Sequence, residues 1–190
     1  MKKFKLLLSL MLLASTLGVA VAQGPDKSKS ESKAASHVKT KYDKSKDRTT
    51  VTLKSMDLGG AMTREVSSLG QSTQLTLDVS FTYAGEHPAK PVDALTMKFT
   101  SRARYPVFQR GQNLMVVVDD QNAIPIGDTN YKSDAQTFYT DEMLTAQVPR
   151  EIMERIRTAK TAKMFLGNRE IAFRSEQLDD LREMTARMSP

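Results

Sequence analysis

From Thr49 onward, apolar and polar residues alternate with a period of two. "TTVTLKS" sets Val51 and Leu53 against Thr50, Thr52 and Lys54, and "TQLTLDVSFTY" sets Leu75, Leu77, Val79, Phe81 and Tyr83 against Thr76, Asp78, Ser80 and Thr82. Successive side chains of a strand point to opposite faces, so this pattern predicts half-buried antiparallel strands. "AGEHPAKP" has turn chemistry, after which "DALTMKFTSRARY" resumes the alternation with Leu95, Met97 and Phe99 inward. "NLMVVVDD" is a continuous apolar run and predicts a strand covered on both faces. "NAIPIG" is a short extended piece that Pro125 confines to an edge or a bulge. "AQTFYT" and "EMLTAQV" predict further strands.

The period changes after Pro149, a residue suited to the first position of a helix. "REIMERIRTAK" places Ile152, Met153, Ile156 and Ala159 on one face, and Glu151 precedes Arg155 at the favourable i,i+4 spacing. "AKMFLGNREIAFR" predicts two short strands joined at Gly167-Asn168. Ser175 is the expected N-cap of a second helix, "EQLDDLREMTARM", whose Leu178, Leu181, Met184 and Met188 form one stripe. Together these patterns predict a mainly β fold of the α+β kind. It would be an antiparallel β-sandwich or curled sheet with two short helices near the C-terminus.

The first residues differ from all of this. "MKKFKLLLSLMLLASTLGVAVAQ" has lysines at 2, 3 and 5, an apolar core from Leu6 to about Val19, and small residues at Ala20 and Ala22. This is the layout of a secretory signal, with cleavage expected between Ala22 and Gln23. The core is short for a bilayer span, which argues against an anchor, and no second apolar run approaches 18 residues, so no transmembrane segment is expected after cleavage. The expected organisation is a signal peptide over 1–22, a flexible basic linker over 23–48 and one β-rich domain over 49–190. Export would place the protein in a periplasm or outside the cell. The chain has no cysteine, so its core must hold it together without disulfides.

The net charge of +6 is unevenly spread. Residues 1–22 hold three basic and no acidic residues, 23–48 hold eight and four, and 49–190 hold 17 and 18. The basic excess therefore lies outside the expected domain, which removes the main argument for a nucleic-acid partner. The segment "QGPDKSKSESKAASHVKTKYDKSKDR" has few large apolar residues, hence its reading as a linker. Weak attachment of such a basic tail to an anionic surface is the functional alternative to a solvated spacer.

Two stretches, "YDKSKDRTTVTL" and "IRTAKTAKMFLGNREIAFRSEQLDDLREM", resemble an arrangement that recurs in exported bacterial proteins of unknown function. The resemblance covers the two ends of the chain and implies a shared β-rich layout, with no activity and no functional residues to carry over.

Little in the chain points to catalysis. The two histidines are His37 in the linker and His87 beside Glu86 in a turn. One turn histidine without a nucleophile is ordinarily a surface residue, and neither G-x-S-x-G nor a cysteine nucleophile is present. Two remote histidines make no transition-metal site. Asp119, Asp120, Asn122, Asp128 and Asn130 offer hard oxygens, but the EF-hand order is not met and such residues also build turns. No phosphate loop or dinucleotide fingerprint occurs, so no cofactor is expected. The 11 methionines are scattered and read as core filling.

One surface candidate stands out. In "SRARYPVFQRG", Arg102, Arg104 and Arg110 surround Tyr105 and Phe108, a combination suited to an anionic ligand or a carbohydrate. Arg102, Arg104, Tyr105 and Arg110 are the expected ligand-binding residues. The competing reading is a solvated strand face with Tyr105 and Phe108 in the core. The expected function is a noncatalytic, envelope-associated binding or interaction domain whose partner is an envelope protein, glycan or lipid. The alternative is a hydrolase acting on an envelope polymer through carboxylate acid/base residues, which requires no local motif. A third, structural, reading has the protein assembling through an open sheet edge.

Overall fold

The structure, a computed structural model, describes residues 36–59 and 74–190. The expected signal peptide and most of the expected linker lie outside them.

Among the described residues, the alternating segments form ten strands. The first sheet contains β1 (Val38–Asp43), β2 (Arg48–Asp57), β3 (Gln74–Ala84), β4 (Ala94–Ala103), β7 (Asn130–Ala135) and β8 (Thr140–Pro149), in the order β1-β2-β3-β4-β8-β7. The second contains β5 (Asn113–Val118), β6 (Ile124–Asp128), β9 (Ala162–Leu166) and β10 (Arg169–Ala172), in the order β10-β9-β5-β6. Every pairing is antiparallel. The helices are α1 (Arg150–Thr158) and α2 (Ser175–Ala186). The protein is thus mainly β, with open antiparallel sheets and two short helices, in agreement with the fold class read from the sequence.

The predicted phases are kept. Leu75, Leu77, Val79 and Phe81 of β3 and Leu95, Met97 and Phe99 of β4 are buried, with the intervening Thr, Ser, Asp and Lys on the other face. The buried residues of both sheets and both helices form one continuous core. Full burial of a side chain such as Phe99 contributes about 1.5–3 kcal/mol, and many such residues hold a cysteine-free chain together.

Several expectations are corrected. Residues 38–48, expected to belong to the linker, form β1 and its turn into β2. Val38 is buried against the core, and β1 pairs with β2 from Val38↔Leu53 to Asp43↔Arg48. His37 Nδ1 lies 2.9 Å from Asp180 Oδ1 on α2, and Ser36 Oγ donates to Glu183 Oε1 at 2.6 Å. In β5, Leu114, Val116 and Val118 are buried but Met115 and Val117 only half so, because the outer face of the second sheet stays partly open. "AQTFYT" is a tight turn between β7 and β8, closed by Gln136 N–H donating to Tyr139 O at 2.8 Å.

The helix ends also shift by a residue. Pro149 precedes α1 as its N-cap, and Arg174, whose N–H donates to Gln177 Oε1 at 2.9 Å, is the N-cap of α2 in place of Ser175. Glu154, rather than Glu151, carries the ion pairs of α1, at 3.6 Å from Arg150 and 2.7 Å from Arg157. Pro125 does sit on an edge strand beside a register shift, as expected.

The topology makes the chain leave the first sheet after β4 and return to it at β7. Residues 104–112 and the single residue Thr129 are these two crossings, and they lie together. Thr129 N–H donates to Gln112 O at 2.8 Å, and Gln112 N–H donates to Thr129 Oγ1 at 2.9 Å.

Candidate functional site

The crossing loop, "RYPVFQRGQ", has no strand or helix to satisfy its backbone, and a buried carboxylate does so instead. Glu142 occupies the inward phase of β8, in line with Leu144, Ala146 and Val148, and is almost fully buried. Its two oxygens accept from the amides of Val107, Phe108 (3.0 Å) and Gln109 (2.7 Å) and from the Tyr131 hydroxyl (2.9 Å). Gln109 adopts φ 63°, a left-handed conformation that turns its amide toward the same carboxylate. Consecutive amides arranged this way make a concave anion cradle, here filled by the protein's own side chain. Burial and the bond to Glu142 both raise the Tyr131 hydroxyl above its ordinary pKa.

Two glycines permit this packing. A Cβ on Gly111 would stand 2.5 Å from Thr129 O, and Gly167, at φ +64°, begins the β9–β10 turn against the Gln112 side chain.

Arg169, the first residue of β10, completes the arrangement. Its guanidinium stacks on the buried Phe108 ring at 4.6 Å from the centroid, and one terminal nitrogen donates to Val107 O at 3.1 Å. Its Nε is buried without a hydrogen-bond partner. Burial lowers the Arg169 pKa, while the negative charge of Glu142 works in the opposite direction. Beside it opens a cleft of about 520 Å³, lined by Val107 to Arg110, Gln112, Asn168 and Arg169. Arg110 is exposed, and neither Arg110 nor Arg169 forms an ion pair among the described residues. Among the described residues, no carboxylate lines the cleft.

The four expected binding residues are therefore not brought together. Arg110 reaches the cleft. Arg102 is committed elsewhere: its Nε and a terminal nitrogen donate to Asp141 at 2.7 and 2.6 Å, and it stacks on Tyr139 at 4.4 Å. That pairing raises the Arg102 pKa and holds the Asp141 carboxyl below its usual range. Arg104 lies over the Tyr105 ring at 5.5 Å, at the exposed start of the loop. Phe108 is in the core as the competing reading had it, but Tyr105 is 55% exposed. Arg169 and Glu142 were not singled out from the sequence. The signal for Glu142 was a carboxylate on the apolar phase of a strand; for Arg169 there was none beyond its place after the Gly167-Asn168 turn.

A second, wider groove of about 830 Å³ lies between the β5–β6 turn and α1. Asp119 and Asp120, at φ 49° and 55°, form a two-residue turn closed by Gln121 N–H donating to Val118 O at 3.0 Å. Asp119 Oδ1 accepts from the Thr161 and Lys160 amides at 2.9 and 2.8 Å, which holds this carboxyl below its usual range. Asp120 pairs with Lys163 at 3.4 Å. Both acids thus serve the fold, and among the described residues no three His, Cys, Asp or Glu side chains are grouped to hold a metal ion. No helix among the described residues is long and apolar enough to cross a membrane. Comparison of the chain with known protein families, with curated proteins and with solved structures finds no match in any of the three.

Proposed function

We propose that the protein is an exported, noncatalytic binding domain of the cell envelope that docks an anionic group, carboxylate or phosphate, of an envelope glycan or lipid in the Arg110–Arg169 cleft. The observation that carries this reading is the pair of guanidinium groups lining one cleft with no carboxylate partner. Most other arginines near acids are paired, as Arg102, Arg150, Arg157, Arg182 and Arg187 are. Arg169 is held by Phe108 and Val107 O before any ligand arrives, so little side-chain freedom is lost on binding. Planar guanidinium groups suit carboxylate or phosphate oxygens, and Gln109, Gln112 and Asn168 add neutral polar groups at the rim. Support for export is the N-terminal sequence: basic residues, an apolar core and Ala20-Val21-Ala22.

The hydrolase alternative needs two available carboxylates across a cleft. The arginine cleft has none, and the acids of the wider groove are tied to Lys160, Thr161 and Lys163.

The test is equilibrium binding of the protein to vesicles containing an anionic phospholipid and, separately, to a soluble polyuronate, at low and moderate salt. Binding to one of the two, weakened about tenfold (~1.4 kcal/mol) by Arg110→Ala, is expected. The arm that binds identifies the source of the anion. Binding to neither, or binding untouched by Arg110→Ala, overturns the proposal.

A further inference from the structure

The two sheets present four edges: β1 and β7 in the first, β6 and β10 in the second. An open edge exposes unpaired backbone donors and acceptors and is a template for another strand unless something blocks it. β6 is blocked by Pro125 and by the register shift beside it, and β10 has only four residues. β1 and β7 have six residues each and pair regularly with their neighbours along their whole length. These two edges differ in how their charges would meet a copy of themselves.

When two copies of one strand pair antiparallel about a two-fold axis, residues whose backbone groups point outward must face each other. The numbers of facing residues then add to a constant even sum. For β1, with Lys39 and Lys41, every such register overlapping the strand centre sets lysine against lysine. A sum of 78 pairs Lys39 with itself, 80 pairs Lys39 with Lys41 twice, and 82 pairs Lys41 with itself while setting Lys39 against Asp43, an acid already bonded to Ser45. Like charges directly opposite are unfavourable, and none of these registers is free of them.

For β7, "NYKSDA", the result is the reverse. A sum of 264 sets Lys132 against itself and 268 sets Asp134 against itself. The intermediate sum of 266 places Lys132 opposite Asp134 twice, Tyr131 opposite Ala135 twice, and Ser133 on the axis. Lys132 forms no ion pair among the described residues, and Asp134 touches only the exposed Gln136 amide, at 2.9 Å. Both charges are therefore available. All residues of β7 except the half-buried Tyr131 are exposed, and among the described residues β8 is the only strand bonded to it. The turn that follows carries Phe138, 85% exposed, just beyond the paired length of β7.

We infer that β7 is a self-association edge: two copies of the chain pair β7 to β7 antiparallel, in the register that sets Lys132 of each against Asp134 of the other. The contact is isologous and closes as a dimer, joining two six-stranded sheets into one. Pairing of β7 with β1 of another copy would instead propagate. Its charge-matched register sets Lys41 against Asp134 and Asp43 against Lys132, but Asp43 already accepts from the Ser45 amide and hydroxyl at 3.0 and 2.6 Å and pairs with Lys46 at 3.9 Å, against the single bond from Gln136 that Asp134 accepts.

Sedimentation velocity over a wide concentration range tests this with the purified protein. A monomer–dimer equilibrium is expected. Lys132→Asp, which sets two pairs of acids face to face, should weaken it at least about tenfold, and the swap Lys132→Asp with Asp134→Lys should restore it. Because the chain has no cysteine, Ser133→Cys gives a second readout: a short bismaleimide should link the two copies at the axis, while Thr40→Cys on β1 should stay unlinked. A chain that stays monomeric at high concentration, assemblies that grow past the dimer, a dimer indifferent to Lys132→Asp, or no cross-link at position 133 would each overturn the inference.

Discussion

The Oε1 atom of Glu142 lies 2.7 Å from the backbone nitrogen of Gln109, 33 residues earlier in the chain. This contact, with those to Val107, Phe108 and Tyr131, substitutes for secondary structure in the loop that bears Arg110. Glu142→Gln keeps the shape but puts an amide donor in place of one of the two accepting oxygens, leaving a buried N–H facing another donor. A loss of about 2–3 kcal/mol is expected, seen as a drop of roughly 4–12 °C in melting temperature for a domain of this size. Hydrogen exchange at residues 107–109 should quicken together with it. Unchanged melting and exchange would mean that the loop is held by something else.

Gly111→Ala tests the crossing point itself. The added methyl would meet a backbone oxygen, that of Thr129 at 2.5 Å, which cannot swing aside as a side chain could. The two crossings would have to separate, breaking the paired bonds between Gln112 and Thr129. A cost of about 2 kcal/mol is expected by chemical denaturation. A stability within about 0.5 kcal/mol of the parent would show that the crossing is looser than its geometry indicates.

The Arg102–Asp141 pair gives a dependence on pH with a definite sign. Asp141 is held below the usual carboxylate range, first by its hydrogen bonds from Arg102 and then by that residue's charge. Its contribution to stability is therefore fully present above the unfolded value, near pH 4, and is lost as pH falls through the lower folded value. Arg102 is 53% exposed, so solvent screening keeps the contribution of the pair small. Asp141→Asn should melt slightly below the parent at pH 7, with the gap narrowing as pH falls below the unfolded carboxylate value. A gap that does not narrow on acidification would assign the effect to altered packing of Arg102 on Tyr139.

Much of the fold was legible because burial on one face imposes period two. Leu75, Leu77, Val79 and Phe81 could occupy only one side of β3, and the Gly167-Asn168 turn fixed the β9–β10 hairpin. The partners across the sheet were not legible. Nothing local tells that Arg102 faces Asp141, 39 residues away, so a paired strand arginine was read as a free one. Glu142 left a trace, as a charge on an apolar phase, but its meaning depends on amides brought by the loop that follows β4. The linker was misread because propensity and composition are local. Val38 and Tyr42 are too few to predict a strand, yet β2 offers them a ready edge and α2 offers Asp180 and Glu183 to the residues before them.

That docking makes a final prediction about the N-terminal boundary of the folded part. A chain beginning at Arg48 lacks β1, which leaves the edge of β2 open and uncovers the core next to Leu53, the cross-strand partner of Val38. Burial of Val38 alone contributes about 1.5–3 kcal/mol, and the ladder from Val38 to Asp43 adds to it. Compared with a chain beginning at Ala35, the shorter one should therefore melt at least about 3–6 °C lower and expose a new edge prone to association. Val38→Asp in the longer chain should reproduce most of the loss, since it places an unpaired charge against the same apolar surface. Equal melting temperatures for the two chains would return β1 to the status of a spacer and move the boundary of the domain to Arg48.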